Sequence, residues 1–510
     1  MTLPTAAPRS SSIVLLESAT REQLTALRRI FADTGYTEPA ICQRSGFDSI
    51  YNFRSIREGR AGNHDINDAL DVMIRLFMDA ELVDRAVVDQ HLGADRVHTF
   101  EELGLLATYS VDPSRCHAEF LAYPTQNLWI VSDLNIDPTD PDGPGLADDA
   151  VYPAISRNTR HFLFTLPATP CDNFLELCAG TGIAALVASK YSRHAWATDI
   201  TERATSFARI NAALNEIDNC SSARGDLYDA VAGQTFDRIA AHPPYMPSLE
   251  QKYIFRDGGD DGEQITRRII AGLADYLRPG GRFYCTCMLT ERANAPLEQR
   301  IRGMLGPQHE MFDLVLLTYW SFDPTDYYFK RALEGRGDLE EVVQRHKIFR
   351  AMEVEQLVYS SMILERHTSP RAAYTARRQV GRGLGTDEVE QLMAWHAISA
   401  SPDILSRVLE APLSAVPHAR MRVDHGFQNG RWVTKDCVLS TVTPFVVDAQ
   451  CPPWMATLIA RCDGRLTTRE HLNLLKHSGA VPAEGDEREF AEMIRSLIDG
   501  GFLRMELGSE

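Results

Sequence analysis

The sequence predicts an α/β fold built on a doubly wound parallel sheet, with a mainly helical domain at each end of the chain. Three observations carry that expectation. Short apolar runs alternate with helical periods from about residue 150 to 367, the pattern of strands joined by crossover helices. A glycine-rich turn, Glu176-Leu177-Cys178-Ala179-Gly180-Thr181-Gly182, joins an apolar run to a helical one. Before and after this region, apolar residues recur with a helical period instead.

The 510 residues suffice for two to four domains at roughly 100–200 residues each. A net charge of −18 opposes a general nucleic-acid coat, which draws on clustered Lys and Arg. One local exception runs from Arg366 to Arg382, with Arg371, Arg377 and Arg378 between and no acid among them; it reads as a solvated linker, or as a polyanion patch. The ten cysteines are scattered except for Cys285 and Cys287, which would share one face of a strand. No second Cys/His pair stands at a zinc-like spacing, so no metal site is expected, and free thiols fit a reducing compartment. The first twenty residues contain one short apolar run, Ile13–Leu16, without a basic segment before it. No stretch approaches the ~18 apolar residues of a membrane span, and the expectation is a soluble cytoplasmic protein.

Taken in order, residues 1–125 form a helical N-terminal domain. Leu24, Leu27, Ile30 and Phe31 share a face behind Ser18 or Thr20 as cap, and Ile66, Leu70, Met73, Ile74 and Phe77 share another. The run Thr99–Leu106 and the strand Leu128–Val131 give this domain a winged-helix-like end, suited to holding substrate, to packing, or to forming a dimer. Residues 126–367 are the central domain, in which 137–148 are dense in turn formers. Residues 368–385 read as an Arg/Gly linker. In the C-terminal domain, 386–510, Thr467 or Thr468 caps a helix through Leu472, Leu474 and Leu475. Phe490, Met493, Ile494, Leu497 and Ile498 make a second stripe that ends at Gly500-Gly501, before Phe502-Leu503. Two helices and a closing strand suggest a second winged-helix-like module.

The chemistry concentrates in the centre. Asn173–Cys178 is a buried strand by its apolar character, and the helix from Ile183 presents free N–H groups at its start. The next strand, Ala195–Asp199, ends in an acid seventeen residues beyond Gly182, where a carboxylate can take both hydroxyls of a ribose. Gly180-x-Gly182-x-x-Ala185 with that acid also satisfies the dinucleotide fingerprint, so an NAD-dependent oxidoreductase stays open at this point. Gly225-Asp226-Leu227 follows a third strand and places an acid for an adenine amino group. About sixty residues after the glycine turn, Phe236–Ala241 runs into His242-Pro243-Pro244-Tyr245. Two prolines cannot continue a ladder, and they stiffen a corner at the carboxyl edge of the sheet, where open α/β folds bind ligands.

In these motifs the chain resembles the class I S-adenosylmethionine-dependent methyltransferases over roughly residues 150–367. Within them it is similar to the amino-group branch with an (Asn/Asp/Ser)-Pro-Pro-Tyr motif, the small methyltransferases and HemK-like glutamine methyltransferases. The loop Phe255–Gly262 and the segment Leu277–Arg282 look like that group too, and Val151–Ala154 stands where the group has a substrate-side segment. The resemblance implies a Rossmann-like methyltransferase sheet and S-adenosyl-L-methionine as cofactor. Glu176, Cys178, Gly180 and Gly182 would line its methionine moiety, with Ala179 and Thr181 in the same turn. Asp199, followed by Ile200, would bind ribose, and Asp226 and Leu227 would flank adenine. His242 and the Pro243 carbonyl would face the acceptor nitrogen, His242 also touching the cofactor, with Tyr245 stacked on the acceptor. His242 departs from the family pattern. A neutral imidazole can accept one N–H, yet it can also take a proton, which would admit O-methylation with His242 as base.

The implied activity is methyl transfer, to nitrogen of a peptide, protein or small-molecule acceptor. The alternatives are a base of RNA or DNA as acceptor, less favoured by the acidic charge, and a non-enzymatic winged-helix nucleic-acid-binding regulator. Asn211 and the aromatic groups Tyr319-Trp320 and Tyr327-Tyr328-Phe329 are further candidates near adenine and acceptor, although packing explains them as well. The terminal domains allow a homodimer, and no membrane partner is expected.

Overall fold

The computed structural model describes residues 11–62, 65–140, 146–335 and 337–505. Part of the loop expected at 137–148 lies outside them. The chain forms two compact units, one of residues 1–312 and 322–370, the other of residues 313–321 and 371–510.

The first unit begins with α1 (Ser11–Glu17), α2 (Arg21–Asp33), α3 (Glu38–Ser45) and α4 (Ala69–Phe77). Thr20 caps α2 in a reciprocal box with Gln23, and the four residues expected on its inner face are the four that are buried. On α4 the expectation needs correction. Asp68 is the cap, so Ile66 precedes the helix, and Val72 and Leu76 are buried beside Met73, Ile74 and Phe77. The helix is covered around more of its circumference than a single stripe implies. Next come β1 (Val83–Asp84), α5 (Arg85–Leu92), α6 (Ala94–Glu102), β2 (Leu106–Thr108) and β3 (Arg115–Ala118), whose strands form an antiparallel sheet in the order β1-β3-β2. The hairpin β4 (Leu121–Thr125) and β5 (Leu128–Ser132) follows.

The central elements are α7 (Arg157–Phe164), β6 (Cys171–Leu177), α8 (Ile183–Ala188), β7 (Ser192–Asp199), α9 (Glu202–Leu214), β8 (Cys220–Arg224) and β9 (Phe236–Ala241). After them come α10 (Gln264–Tyr276), β10 (Leu277–Arg292) and α11 (Leu297–Met304). β11 (Phe312–Phe322), whose body counts with the second unit, precedes α12 (Pro324–Leu333), α13 (Leu339–Ala351) and β12 (Val354–Arg366). In the first unit the strand order is β12-β10-β9-β6-β7-β8. Pairing is parallel from β8 to β10, whereas β10 pairs antiparallel with β12 from Arg282 to Arg292, so the sheet is mixed at that side. Chain direction reverses there because β12 returns after the helical hairpin α12–α13, an insertion the sequence reading did not anticipate. Cys285 and Cys287 are both buried in β10.

Helix α9 ties the N-terminal segment to this sheet. Asn211 accepts the Val131 N–H at 2.7 Å and donates to the Val131 carbonyl at 3.0 Å. Asn215, one turn on, does the same to Trp129 at 2.9 and 2.7 Å. Two carboxamides at i, i+4 thus complete the ladder of a strand edge at i, i+2, where unpaired backbone groups would be costly. Arg209 pairs with Glu17 at 2.6 Å, and Arg28 donates to the Leu214 carbonyl at 2.9 Å.

In the second unit, β13 (Thr375–Gln379) pairs in parallel with residues 314–318 of β11. The stretch 368–385 is therefore more than a linker. Arg371 pairs with buried Asp313, and Arg378 donates to the Asp499 carbonyl at 2.9 Å. Arg-rich composition suggested solvation, but acids and carbonyls distant in sequence receive these guanidinium groups. The unit continues with α14 (Thr386–Ser399), α15 (Ile404–Glu410), β14 (Pro412–Ala415), a long hairpin of β15 (Arg420–Gln428) and β16 (Arg431–Thr441), and β17 (Val447–Gln450). Last are α16 (Met455–Arg461), β18 (Asp463–Thr467), α17 (Thr468–His477), α18 (Glu487–Asp499) and β19 (Leu503–Met505). Thr467 caps α17 in a box with Glu470, and Phe490, Ile494, Leu497 and Ile498 of α18 enter the core; Leu474 is exposed. No helix among the described residues is long and apolar enough to cross a membrane.

Replacing Asn211 by Ala removes a carboxamide with no exposed surface and strands the Val131 N–H and carbonyl. N211A should lower the stability of the first unit by about 2 kcal/mol, the usual cost of unsatisfied buried polar groups, measured as a shift in the urea midpoint.

Candidate active site

Parallel pairing aligns the ends of the central strands. Leu177 of β6 lies opposite Ala241 of β9 on one side and Thr198 of β7 on the other, and Asp199 lies opposite Arg224 of β8. The glycine turn, the acid, Gly225-Asp226 and the proline corner therefore leave the sheet at one level. The order β9-β6-β7 reverses the winding at β6, the switch point where such sheets open a crevice.

A cavity of about 630 Å³ occupies that crevice. Glu176, Cys178, Ala179, Gly180, Thr181, Asp199, Ile200, Asp226, Leu227, His242, Pro243 and Tyr245 all line it. Gly182 does not, which corrects its expected place beside a ligand. It holds φ at +78°, and a Cβ there would stand 3.0 Å from the Ala208 Cβ. Its lack of a side chain serves close packing of the turn against α9. Gly180, at φ +53°, faces the cavity instead.

The turn is tied down by its neighbours. Asp199 accepts the Gly180 N–H at 3.0 Å and the Thr201 N–H at 3.1 Å, and burial raises its pKa. Glu176 accepts the Ala185 N–H at 2.8 Å from the first turn of α8. Burial pushes the Glu176 carboxyl up to about 8, against the lowering effect of the Ala185 and Ala184 N–H groups. Asp226 pairs with Arg268 at 2.9 Å, so one of its oxygens is engaged by α10.

At the corner, the His242 ring lies between Phe162 and Tyr245, stacked at centroid distances of 5.4 and 5.6 Å. Its Nε2 is buried with no hydrogen-bond partner among the described residues. Burial, with the nearby His161, lowers its pKa to about 4, so the ring is neutral at physiological pH. Asn158 donates to the Tyr245 hydroxyl at 2.5 Å. Asn158 and Phe162 are one turn apart on α7, and both line the cavity. Sequence reading passed over this pair; its only signal was an i, i+4 spacing behind the capping Ser156.

Tyr152 of the substrate-side segment stacks on Phe255 at 5.5 Å, joining two motifs a hundred residues apart. Helices α12 and α13 add Tyr328, Arg331, Glu341 and Arg345 to the cavity wall. Arg345 sits over the Tyr328 ring at 4.5 Å and donates to the Pro247 carbonyl. Of Tyr327-Tyr328-Phe329, Tyr328 reaches the cavity and Phe329 is exposed, while Tyr319-Trp320 belongs to the second unit. Asn211 touches the turn from behind, donating to the Thr181 carbonyl at 3.1 Å.

Sheet, glycine turn and proline corner together form a Rossmann-like domain with one cavity at its switch point. Residues 152–307 match the family model of the methyltransferase small domain, and this resolves the choice against a dinucleotide fold that the glycines leave open. A Methanocaldococcus jannaschii protein, provisionally named for protein N5-glutamine methylation, is 38% identical over 114 residues, covering 21% of this chain and 57% of that one. The ribosomal protein uL3 glutamine methyltransferase of Xanthomonas campestris is 31% identical over 124 residues, 22% of this chain and 40% of that one. The release factor glutamine methyltransferase of Moorella thermoacetica is 32% identical over 127 residues, 22% and 45% of the two chains. The chain thus spans about half the length of the curated relatives it matches. Among solved structures, a methyltransferase from Pyrococcus furiosus is 18% identical, covers 43% of this chain and 89% of its own, and has a TM-score of 0.28.

The raised Glu176 carboxyl has a consequence for stability. With a folded pKa of about 8 against an ordinary value of 4.5, the folded protein holds more protons than the unfolded chain between those pH values. Stability contributed by this group is therefore complete below about pH 4.5 and falls as pH rises through 8. E176Q should flatten the fall in Tm between pH 5 and pH 8 seen by scanning calorimetry of the wild type. An equal fall in both proteins would contradict the assignment.

Proposed function

We propose that the protein is an S-adenosylmethionine-dependent methyltransferase that methylates a nitrogen of a peptide or protein acceptor at the His242–Tyr245 corner. The observation that carries this reading is that the glycine turn and the proline corner, on adjacent paired strands, line one cavity. The residues present suit the cofactor. Gly180 leaves backbone accessible, Asp199 offers a carboxylate at the ribose position, and Glu176 stiffens the turn from beneath. When bound, S-adenosylmethionine supplies the electrophilic methyl group. Everything else asked of the chain is positioning, which supplies several kcal/mol in a two-reactant displacement.

In this reading the buried Nε2 of His242 and the Pro243 carbonyl accept the N–H bonds of the acceptor, and the Tyr245 face stabilises positive charge as it develops. Asn158 fixes the Tyr245 ring through its hydroxyl. Burial that keeps His242 neutral also makes it a weak base, which favours accepting an N–H over removing a hydroxyl proton. That argues for nitrogen over oxygen as the methylated atom. The names of the relatives, which specify glutamine in a release factor and a ribosomal protein, support a polypeptide side chain as acceptor. The helical end domains then read as recognition modules for an acceptor larger than the cavity.

Calorimetry with S-adenosylhomocysteine should give micromolar binding that D199A weakens at least about tenfold, the loss of a charge-assisted hydrogen-bond pair. Tritiated-methyl labelling of cell extract should mark protein, with H242A reducing incorporation about a hundredfold and H242N retaining more than H242A. The rate should show no titration near pH 6.5 attributable to His242. An inflection there that H242N abolishes would instead assign His242 as a base and overturn nitrogen acceptance.

A further inference from the structure

The hairpin β15–β16 in the second unit carries surface that methyl transfer does not use. Phe427 and Trp432 are directly opposed across its strands, 63% and 69% exposed, with centroids 5.5 Å apart. The turn beyond them is Asn429-Gly430, with φ of 51° and 80°, the left-handed pair that closes a two-residue hairpin. Alternation along the strands puts Val423, His425 and Phe427 on one face with Trp432 and Thr434, and Val423 is also exposed. The stem of Lys435 lies over Gly426, on the opposite face.

This ribbon is cationic in an acidic protein. Residues 420–441 contain Arg420, Arg422, Arg431 and Lys435 against Asp424 and Asp436, while the chain carries −18. Arg422 and Asp424 pair loosely at 3.6 Å in solvent. Among the described residues, Arg420, Arg431 and Lys435 have no carboxylate partner. By the same alternation Arg420, Arg431 and Lys435 stand on the face opposite the rings, and a narrow ribbon with rings on one side and uncompensated cations on the other matches a flexible partner that carries flat rings and regularly spaced anions and can wrap it.

We propose that this arm binds single-stranded nucleic acid, unpaired bases stacking on the Phe427–Trp432 face and phosphates meeting Arg420, Arg431 and Lys435. An acidic protein surface would use the cations and leave the aromatic row in water. A membrane would require the apex to be apolar, yet the apex is Gln428-Asn429-Gly430-Arg431, and the aromatic rings sit behind it on one face. The inference stands on the second unit alone and is independent of the methyl-transfer reading.

The test is fluorescence anisotropy of the full chain with a labelled oligouridylate of about 15 nucleotides, within the usual range of single-strand site sizes. Binding is expected at low salt and should weaken steeply with added salt. F427A and W432A should each weaken it about tenfold, the loss of one stacked base, and R431A with K435A should reduce the salt slope by about 1.4. Exposed positions should leave Tm unchanged, which separates lost contact from lost folding. The proposal is overturned if the wild type does not bind at low salt, or if the aromatic variants bind as the wild type does. It is equally overturned if W432A abolishes only co-sedimentation with anionic vesicles, or only a monomer–dimer equilibrium.

Discussion

The pairing of Leu177 with Ala241 is the constraint on which the site depends. Side-chain period in a strand is two, so a slip of one residue would turn every side chain of β9 to the other face of the sheet. Phe236, Ile239, Ala240 and Ala241 are all without exposed surface, and so are Phe174, Leu175 and Leu177, so a slip would exchange side chains of different size between two packed faces. Core packing thereby sets the separation between the glycine turn and the proline corner. Neither motif needs a bond to the other, because the sheet holds both.

Burial at the same edge sets the chemistry. Glu176 and His242 are forced in the same direction, toward their neutral forms, by loss of water. For Glu176 the N–H groups of α8 oppose that push. For His242 nothing does: its neighbours are the rings of Phe162 and Tyr245, packed against a neutral imidazole, and the nearby His161 pushes the same way. A ring held this way keeps a fixed orientation in a dry wall.

Motif-bearing strands were legible in the sequence because they are continuous apolar runs ending in glycine or proline, where backbone geometry leaves few options. The caps of α2 and α17 were legible for a similarly local reason, a hydroxyl and a Gln or Glu three residues on. What was hidden is non-local. Asn158 and Phe162 carry no sign that α7 lies over the corner, and Gly182 looks like a ligand-facing glycine until Ala208 is seen behind it. The Arg366–Arg382 stretch misled because composition reports solvation only when no distant acceptor is available, and the Asp313 carboxylate and the Asp499 carbonyl come from 58 and 121 residues away. The α12–α13 insertion interrupts the alternation of strand and helix, so periodicity had no rule for placing it.

The N-terminal segment is part of the site's construction, and the hydrogen bonds specify how. Asn211 grips Val131 of β5 with the same carboxamide that donates to the Thr181 carbonyl of the glycine turn. Tyr123 of β4 accepts the Ala154 N–H at 2.7 Å, and Asp133, just after β5, accepts the Val151 N–H at 2.7 Å while Arg203 of α9 donates to it at 2.7 Å. The hairpin β4–β5 thus holds the Val151–Ala154 wall of the cavity on one side and, through α9, the floor of the turn on the other. A load on the N-terminal helices would reach both walls along a chain of buried, directional bonds, each costly to leave unmade. An acceptor recognised by that segment would therefore meet a cavity whose shape the same segment already supports, so recognition and positioning rest on one set of contacts.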